Sequence, residues 1–350
     1  MSRTPPAPAR PDVAPAADQA PDPAASGQSR RSRLSAGAIA DRYGLLIAWA
    51  IVVVVFSILL PDTFFRIENF QTILGSQAVL LVLTLGLIVP LTVNEFDLSV
   101  AGVINITVVV MGYLNGVHGW PLATSLLAVF ALALTVGAVN AVLTVRVGIQ
   151  SIIVTLGMGT LLQGLALGIN ASAVPNIAQP LVDVLRARFL GIQVAFYCGL
   201  ALTIVAWYVY SHTPLGRHLY FVGAGRDVAR LAGLRVDAIR MGALLTSSLA
   251  AAAAGVMLIG LLGAADPNVG PSFLLPAFAA AFLGATVLTP GRFNPWGTFV
   301  AVYFLVTGIT GLQLFGLSSW VENVFYGGSL VIAVAIAQLF RRRGEAGGAR

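Results

Sequence analysis

Two carboxylates and an amide, Asn94, Glu95 and Asp97, stand with Ser99 between two apolar runs, just after Pro90. Proline cannot donate a helical hydrogen bond, so the stretch reads as a broken helix. At membrane depth, irregular backbone is tolerated only where protein or a watery cavity satisfies its polar groups, and such a break lines a pathway. The other reading is a short cytoplasmic turn in which Asp97 or Ser99 caps the following helix. Asn105, Asn140, Gln163 and Asn170 also lie inside apolar runs. Their amides can bond a hydroxylated solute or bridge neighbouring helices in lipid. The candidates for a solute pathway are Asn94, Glu95, Asp97, Ser99, Asn105 and Gln163.

Other chemistries lack their residues. All 20 basic side chains are arginine, and a phosphate-binding loop needs a lysine to reach the terminal phosphates. His118, His212 and His218 fall in loops and Cys198 is alone, which argues against a metal site and against an intramembrane serine hydrolase. Cys198, inside an apolar run, reads as a small buried hydrophobe. The arginines are scattered through short loops and tails, so no continuous basic face offers itself to nucleic acid.

A second cluster lies in the longest polar stretch between apolar runs, 211–240. It holds Gly223, then Arg226, Asp227, Val228, Arg230 and Leu231, then Gly233. Val228, Leu231 and Leu234 give a short helix one apolar face, and Gly233 can end it. Such a helix lies on lipid headgroups or docks on a partner, with Arg226, Asp227 and Arg230 around the rim.

The elements that must position these residues are membrane helices. The chain of 350 residues is 57% hydrophobic and only 10% charged, against about 25% charged in soluble proteins. Apolar runs at about 43–60, 73–93, 98–114, 121–145, 151–170, 193–210, 241–263, 273–289, 296–315 and 322–340 predict an all-α polytopic membrane protein of about ten transmembrane helices. With both termini cytoplasmic, only Arg66, Arg186 and Arg188 of the 20 arginines fall outside, which leaves 17 inside and satisfies the positive-inside rule. Residues 1–34, rich in Pro and Ala, read as a disordered cytoplasmic tail, 35–342 as the membrane domain and 343–350 as a cytoplasmic C-terminal tail. The first and sixth runs set off two blocks, 73–145 and 241–340, compatible with an inverted repeat of two four-helix blocks.

Four motifs in order resemble the permease subunits of ATP-binding-cassette importers for ribose and related monosaccharides. Phe96-Asp97-Leu98-Ser99-Val100 is similar to that family's Gly-Gly-Ile-Asp-Leu-Ser-Val-Gly. Asn140 with Arg146 and the stretch from Ile149 to Gly157 resembles its next signature. Thr213-Pro214-Leu215-Gly216-Arg217, continuing through Gly223 to Gly233, resembles its coupling loop. The segment from Phe282 to Thr286 with Gly291 and Trp296-Gly297-Thr298 resembles a C-terminal pattern richer in glycine. Asn94 and Glu95 replace a glycine pair, Ala101 a further glycine, and Pro290 interrupts another pair.

The resemblance implies a bacterial plasma-membrane permease, identical or different in its two copies, paired around a central pathway. It implies a cytoplasmic ATP-binding-cassette subunit below, which uses ATP and magnesium, and an extracytoplasmic solute-binding protein above. This chain would hold no cofactor and would catalyse no reaction. The rival is an ion-coupled secondary transporter using Glu95 and Asp97; a membrane enzyme is the third class.

Overall fold

A computed structural model describes residues 36–318 and 320–348, with side chains over 43–318 and 320–336. The tail expected at 1–34 lies outside the described residues. The helices are α1 (Ala36–Leu59), α2 (Ile67–Ser76), α3 (Ala78–Thr92), α4 (Val100–Met111), α5 (Leu122–Ala141), α6 (Ser151–Ile169), α7 (Gln179–Arg186), α8 (Val194–His212), α9 (Pro214–Ala224), α10 (Arg226–Leu231), α11 (Val236–Leu262), α12 (Pro271–Gly284), α13 (Pro295–Leu314) and α14 (Trp320–Gly348). Wider helical turns extend α4 through Val117 and α5 through Arg146. Two antiparallel pairs of two-residue strands complete the fold: β1 (Val174–Pro175) with β4 (Ala264–Ala265), and β2 (Arg188–Phe189) with β3 (Ile192–Gln193).

Each expected apolar run is therefore helical, but the helices differ in reach. Among the described residues, six are long and apolar enough to cross a membrane, and α2 with α3, bent by 41°, make a seventh if taken as one span. Shorter apolar stretches lie within α1 (Tyr43–Leu59) and α14 (Trp320–Ile336), helices of 24 and 29 residues, whereas α12 (Pro271–Gly284) is short as a whole. The 14 residues of α12 extend about 21 Å, less than the roughly 30 Å of a hydrocarbon core. At the other end of the chain, α14 runs on helically to Gly348, through most of the stretch expected to be a tail.

The core is built on α3, α4 and α11, whose side chains are largely buried, while α6 and α8 turn many Leu, Ile and Val residues outward. Lipid is as apolar as leucine, so the packing of such helices rests on close approach, and small residues permit it. Gly86 of α3 packs against Ala250 of α11, and Gly102 of α4 against Gly159 of α6. Cys198 is exposed on α8 and not buried. That helix is apolar on every side, so an apolar run alone does not tell which face is packed.

Two helix–break–helix units meet inside the fold. After α3, residues 93–99 run in non-helical backbone along the first half of α6, where the Ser151 Oγ accepts from the Phe96 N–H (3.1 Å) and the Thr155 Oγ1 from the Leu98 N–H (3.0 Å). Gly159, ninth of the 19 residues of α6, sits against Leu98 and Ser99. α4 thus starts at about mid-depth of a spanning helix. After α11, β4 lies beside Gly112 while Gly270 abuts Ala101, so 265–270 descend along α4 by about 16 Å, eleven helical residues. α12 starts there. The units α3–break–α4 and α11–break–α12 approach mid-depth from opposite faces. The first block gains its fourth helix only with α6, beyond residue 145 where the sequence pattern set its end.

Candidate functional site

The break at 93–99 is a junction of side chains from five elements. Asn94 adopts a left-handed backbone (φ 56°), and its Nδ2 donates to the Gly223 carbonyl of α9 at 2.6 Å. Gly223 needs its missing side chain for space, because a Cβ there would overlap the Thr92 carbonyl oxygen at the end of α3.

Glu95 is buried, its side chain 3% exposed, and its Oε1 accepts from two arginines. Arg226, first residue of α10, approaches to 2.7 Å, and Arg240, in the second turn of α11, to 2.6 Å. Arg226 also donates to the Val93 and Asn94 carbonyls at 3.3 and 3.1 Å. It faces inward, away from the rim where the helix pattern put it. A carboxylate this buried is tolerated because two cations compensate it, and removing one would strand charge.

Asp97, two residues on, is fully buried with no cation beside it among the described residues. Its Oδ1 accepts from the Ser99 N–H (3.0 Å) and hydroxyl (2.5 Å), and its Oδ2 accepts from the Ser247 hydroxyl of α11. Asn140 of α5 donates to the Ser99 Oγ at 2.9 Å. Asp97 and Ser99 therefore form a turn that starts α4 and ties it to α5 and α11. The Asn140 Oδ1, Thr144 Oγ1 and Ser248 Oγ nearby in sequence are buried with no partner among the described residues. Phe96 between the two carboxylates stacks on Phe278 and Phe282 of α12, with ring centroids 6.3 and 6.4 Å away.

The second break is held differently. Asn105 of α4 donates from Nδ2 to the Pro267 carbonyl and accepts at Oδ1 from the Gly270 N–H (2.9 Å). Gly270 is confined by the Ala101 carbonyl, which a Cβ would overlap. Within the break, Asp266 Oδ1 accepts from the Asn268 N–H, and Asp266, Asn268 and Ser272 are exposed. These three were missed in the sequence because they read as an ordinary loop between two spans. The available signal was the short reach of the following helix.

Of the six pathway candidates, the structure thus brings Asn94, Glu95, Asp97 and Ser99 together, sets Asn105 at the other break, and leaves Gln163 apart on α6. The first five spend polar groups inside the chain. Gln163 is half-exposed with no side-chain hydrogen bond among the described residues.

The stretch 211–240 is not a loop: between the end of α8 and the start of α11 it forms the helices α9 and α10. Thr213 caps α9, and the Tyr220 hydroxyl donates to the Phe293 carbonyl at 2.6 Å with Arg292 over its ring. Burial pushes Tyr220 up to about 12, so the phenol remains a donor. Gly233 has φ +82° after the end of α10, where a side chain would be strained. Ala229 is buried and Leu234 half-buried on the inner side of α10, whereas Val228 is 61% and Leu231 89% exposed. Asp227 is exposed, and Arg230 pairs with Asp237 of α11 at 3.1 Å with both ends in the open.

Comparison with known proteins extends over nearly all of this architecture. The family model described as "Branched-chain amino acid transport system / permease component" matches residues 69–334. The ribose import permease protein RbsC of Escherichia coli (strain K12) is 29% identical over 296 residues, 83% of this chain and 92% of the relative. The D-allose transport system permease protein AlsC of the same strain is 26% identical over 303 residues, 86% and 93%. The L-arabinose ABC transporter permease protein AraH of Azospirillum brasilense is 29% identical over 330 residues, 93% and 96%. No solved structure matches.

Proposed function

Because the chain belongs to the family of branched-chain amino acid transport system permease components, we propose that it is the membrane subunit of an ATP-driven importer whose solute is a monosaccharide. It is a multi-pass membrane protein, and hydrolysis of ATP belongs to a separate subunit. The sugar reading rests on relatives named for ribose, allose and arabinose that align over more than four-fifths of the chain.

The observation that carries the mechanism is the pair of breaks meeting at mid-depth, one of them bonded to the α9–α10 segment. Discontinuous helices at the bilayer midplane are where transporters bind and gate solutes. Asn268 and Gln163 leave side-chain amides without a partner among the described residues, which lipid would not satisfy. They line a pathway completed by a second permease subunit. Asn94, Glu95, Asp97 and Ser99 shape that pathway from within, since their polar groups are engaged in the chain. On the face carrying α9 and α10, the exposed Val228 and Leu231 offer the apolar anchors that an ATPase groove would bury. A solute-binding protein delivers the sugar at the opposite face. The 17 to 3 distribution of arginines supports α10 and both termini being cytoplasmic.

The test is uptake of radiolabelled D-ribose, D-allose and L-arabinose into vesicles holding this chain, its own ATPase and its binding protein. Uptake of one of them should require ATP and survive an uncoupler. Transport by the lone chain that an uncoupler abolishes would establish the secondary transporter instead; the relatives, named as permease proteins of import, transport or ABC systems, lend that reading no support.

A further inference from the structure

Glu95 carries a buried charge, and the structure gives that charge two partners from distant sequence. Arg226 lies 131 residues away and Arg240 145. Arg226 opens the short helix whose far side is exposed; Arg240 belongs to the long helix that carries Ser247, the partner of Asp97. One carboxylate oxygen therefore joins α10, the break before α4, and α11, elements that Arg230 with Asp237 and Ser247 with Asp97 also tie in pairs. The Arg226 bonds to the Val93 and Asn94 carbonyls and the Asn94 bond to Gly223 close the same seam from both chains.

We propose that Glu95 is a positioning residue for energy coupling, an ionic clamp that makes α10 and the 93–99 break move as one unit when an ATPase displaces α10. The physical reason is that a buried carboxylate cannot part from its cations without a large desolvation cost, so a pull on α10 that stops short of that cost is carried to the start of α4. A glycine at position 95 would leave the Arg226 bonds to two carbonyls and the Asn94 bond to Gly223 across the seam, but no ion pair. The proposal rests on the reading of the chain as an ATP-driven permease.

Its test needs no knowledge of the solute. The chain is purified with its ATPase, and amide hydrogen exchange is followed at 93–99 and 223–231 in the nucleotide-free complex and in the complex trapped with ATP and vanadate. In the wild-type chain the two stretches should change together. In Glu95→Gln, isosteric but uncharged, exchange at 93–99 should lose its dependence on nucleotide while 223–231 keeps it, with copurification unchanged. Arg226→Gln, which leaves Glu95 on Arg240, should act the same way if Glu95→Gln fails to fold. Arg226→Lys, which keeps a cation beside Glu95, should retain the joint response that Arg226→Gln loses. Joint response in both glutamine variants, or independent response in the wild type, would overturn the clamp. Failure of the chain to bind any ATPase would instead overturn the transporter reading.

Discussion

The two breaks reach the same depth of the fold, both with glycines in close approach, and differ in the charge that secures them. The one at 93–99 is tied by charge: Glu95 between Arg226 and Arg240, and Asp97 among hydroxyls. The one at 264–270 is tied by a neutral amide, Asn105, and by close approach of Gly270 to Ala101. Close packing tolerates almost no displacement, since interiors resist a change of even a methylene. Ion pairs on long arginine side chains follow a moving partner. If the chain is the ATP-driven permease proposed above, the Asn105 break is its fixed wall and the Glu95 break its moving one, next to the segment that offers its apolar face outward.

The comparison fails first at Gly270. Gly270→Val puts a side chain into the Ala101 carbonyl, backbone that cannot give way, and should cost about 3 kcal/mol, the upper range for overpacking. Thermal unfolding in detergent would read the loss, with Gly164→Val, where a Cβ meets open space, as the silent control. Equal effects of the two would mean the second break is not packed as described. Asn105→Leu comes next, at about 2 kcal/mol, because it leaves the Pro267 carbonyl and the Gly270 N–H buried and unpaired. Its midpoint should fall without any change in the exchange of 93–99. Asp97→Asn is milder, at about 1 kcal/mol on stability, since the amide keeps one acceptor for Ser99 while the charge that strengthens the Ser247 bond is lost. Sugar uptake and ATP hydrolysis by the assembled transporter should fall for this variant if the first break moves. Unchanged uptake with a lowered midpoint would make Asp97 a cap only.

How much of this could be read in the sequence depends on distance along the chain. The first break was legible because Pro90 and four polar residues interrupt an apolar run, which is a local signal. The second was not, for Asp266-Pro267-Asn268 has the composition of any surface turn, and only its position against α4 gives it depth. Residues 151–159 carry both the family-like signature and the small polar groups that satisfy 96–98, yet nothing local joins Ser151 to Phe96, 55 residues earlier. The partners of Glu95 were likewise out of reach, which is why Arg226 resembled a rim charge. The apolar periodicity of 228–234 was legible, but it did not reveal that Leu234 turns inward while Val228 and Leu231 turn out.

Leu231 gives the smallest effect on the fold and the sharpest test of the moving side. At 89% exposure it makes few contacts within the chain, so Leu231→Ala should shift the stability of the lone chain by less than about 0.5 kcal/mol. If an ATPase groove buries it, the same truncation should cost about 2 kcal/mol of association, roughly a thirty-fold loss of affinity. Asp227→Ala is the matching charge control, because Asp227 is exposed and an exposed rim charge contributes about 0–1 kcal/mol. Arg226→Ala cannot serve in that role: it breaks the Glu95 pair and should act on the break as well as on the partner. Titrating the ATPase against each detergent-solubilised variant, alongside its unfolding midpoint, separates the two contributions. A Leu231→Ala chain that binds as the wild type does would mean that α10 lies on lipid headgroups, and the charged break would then have no external body to move it.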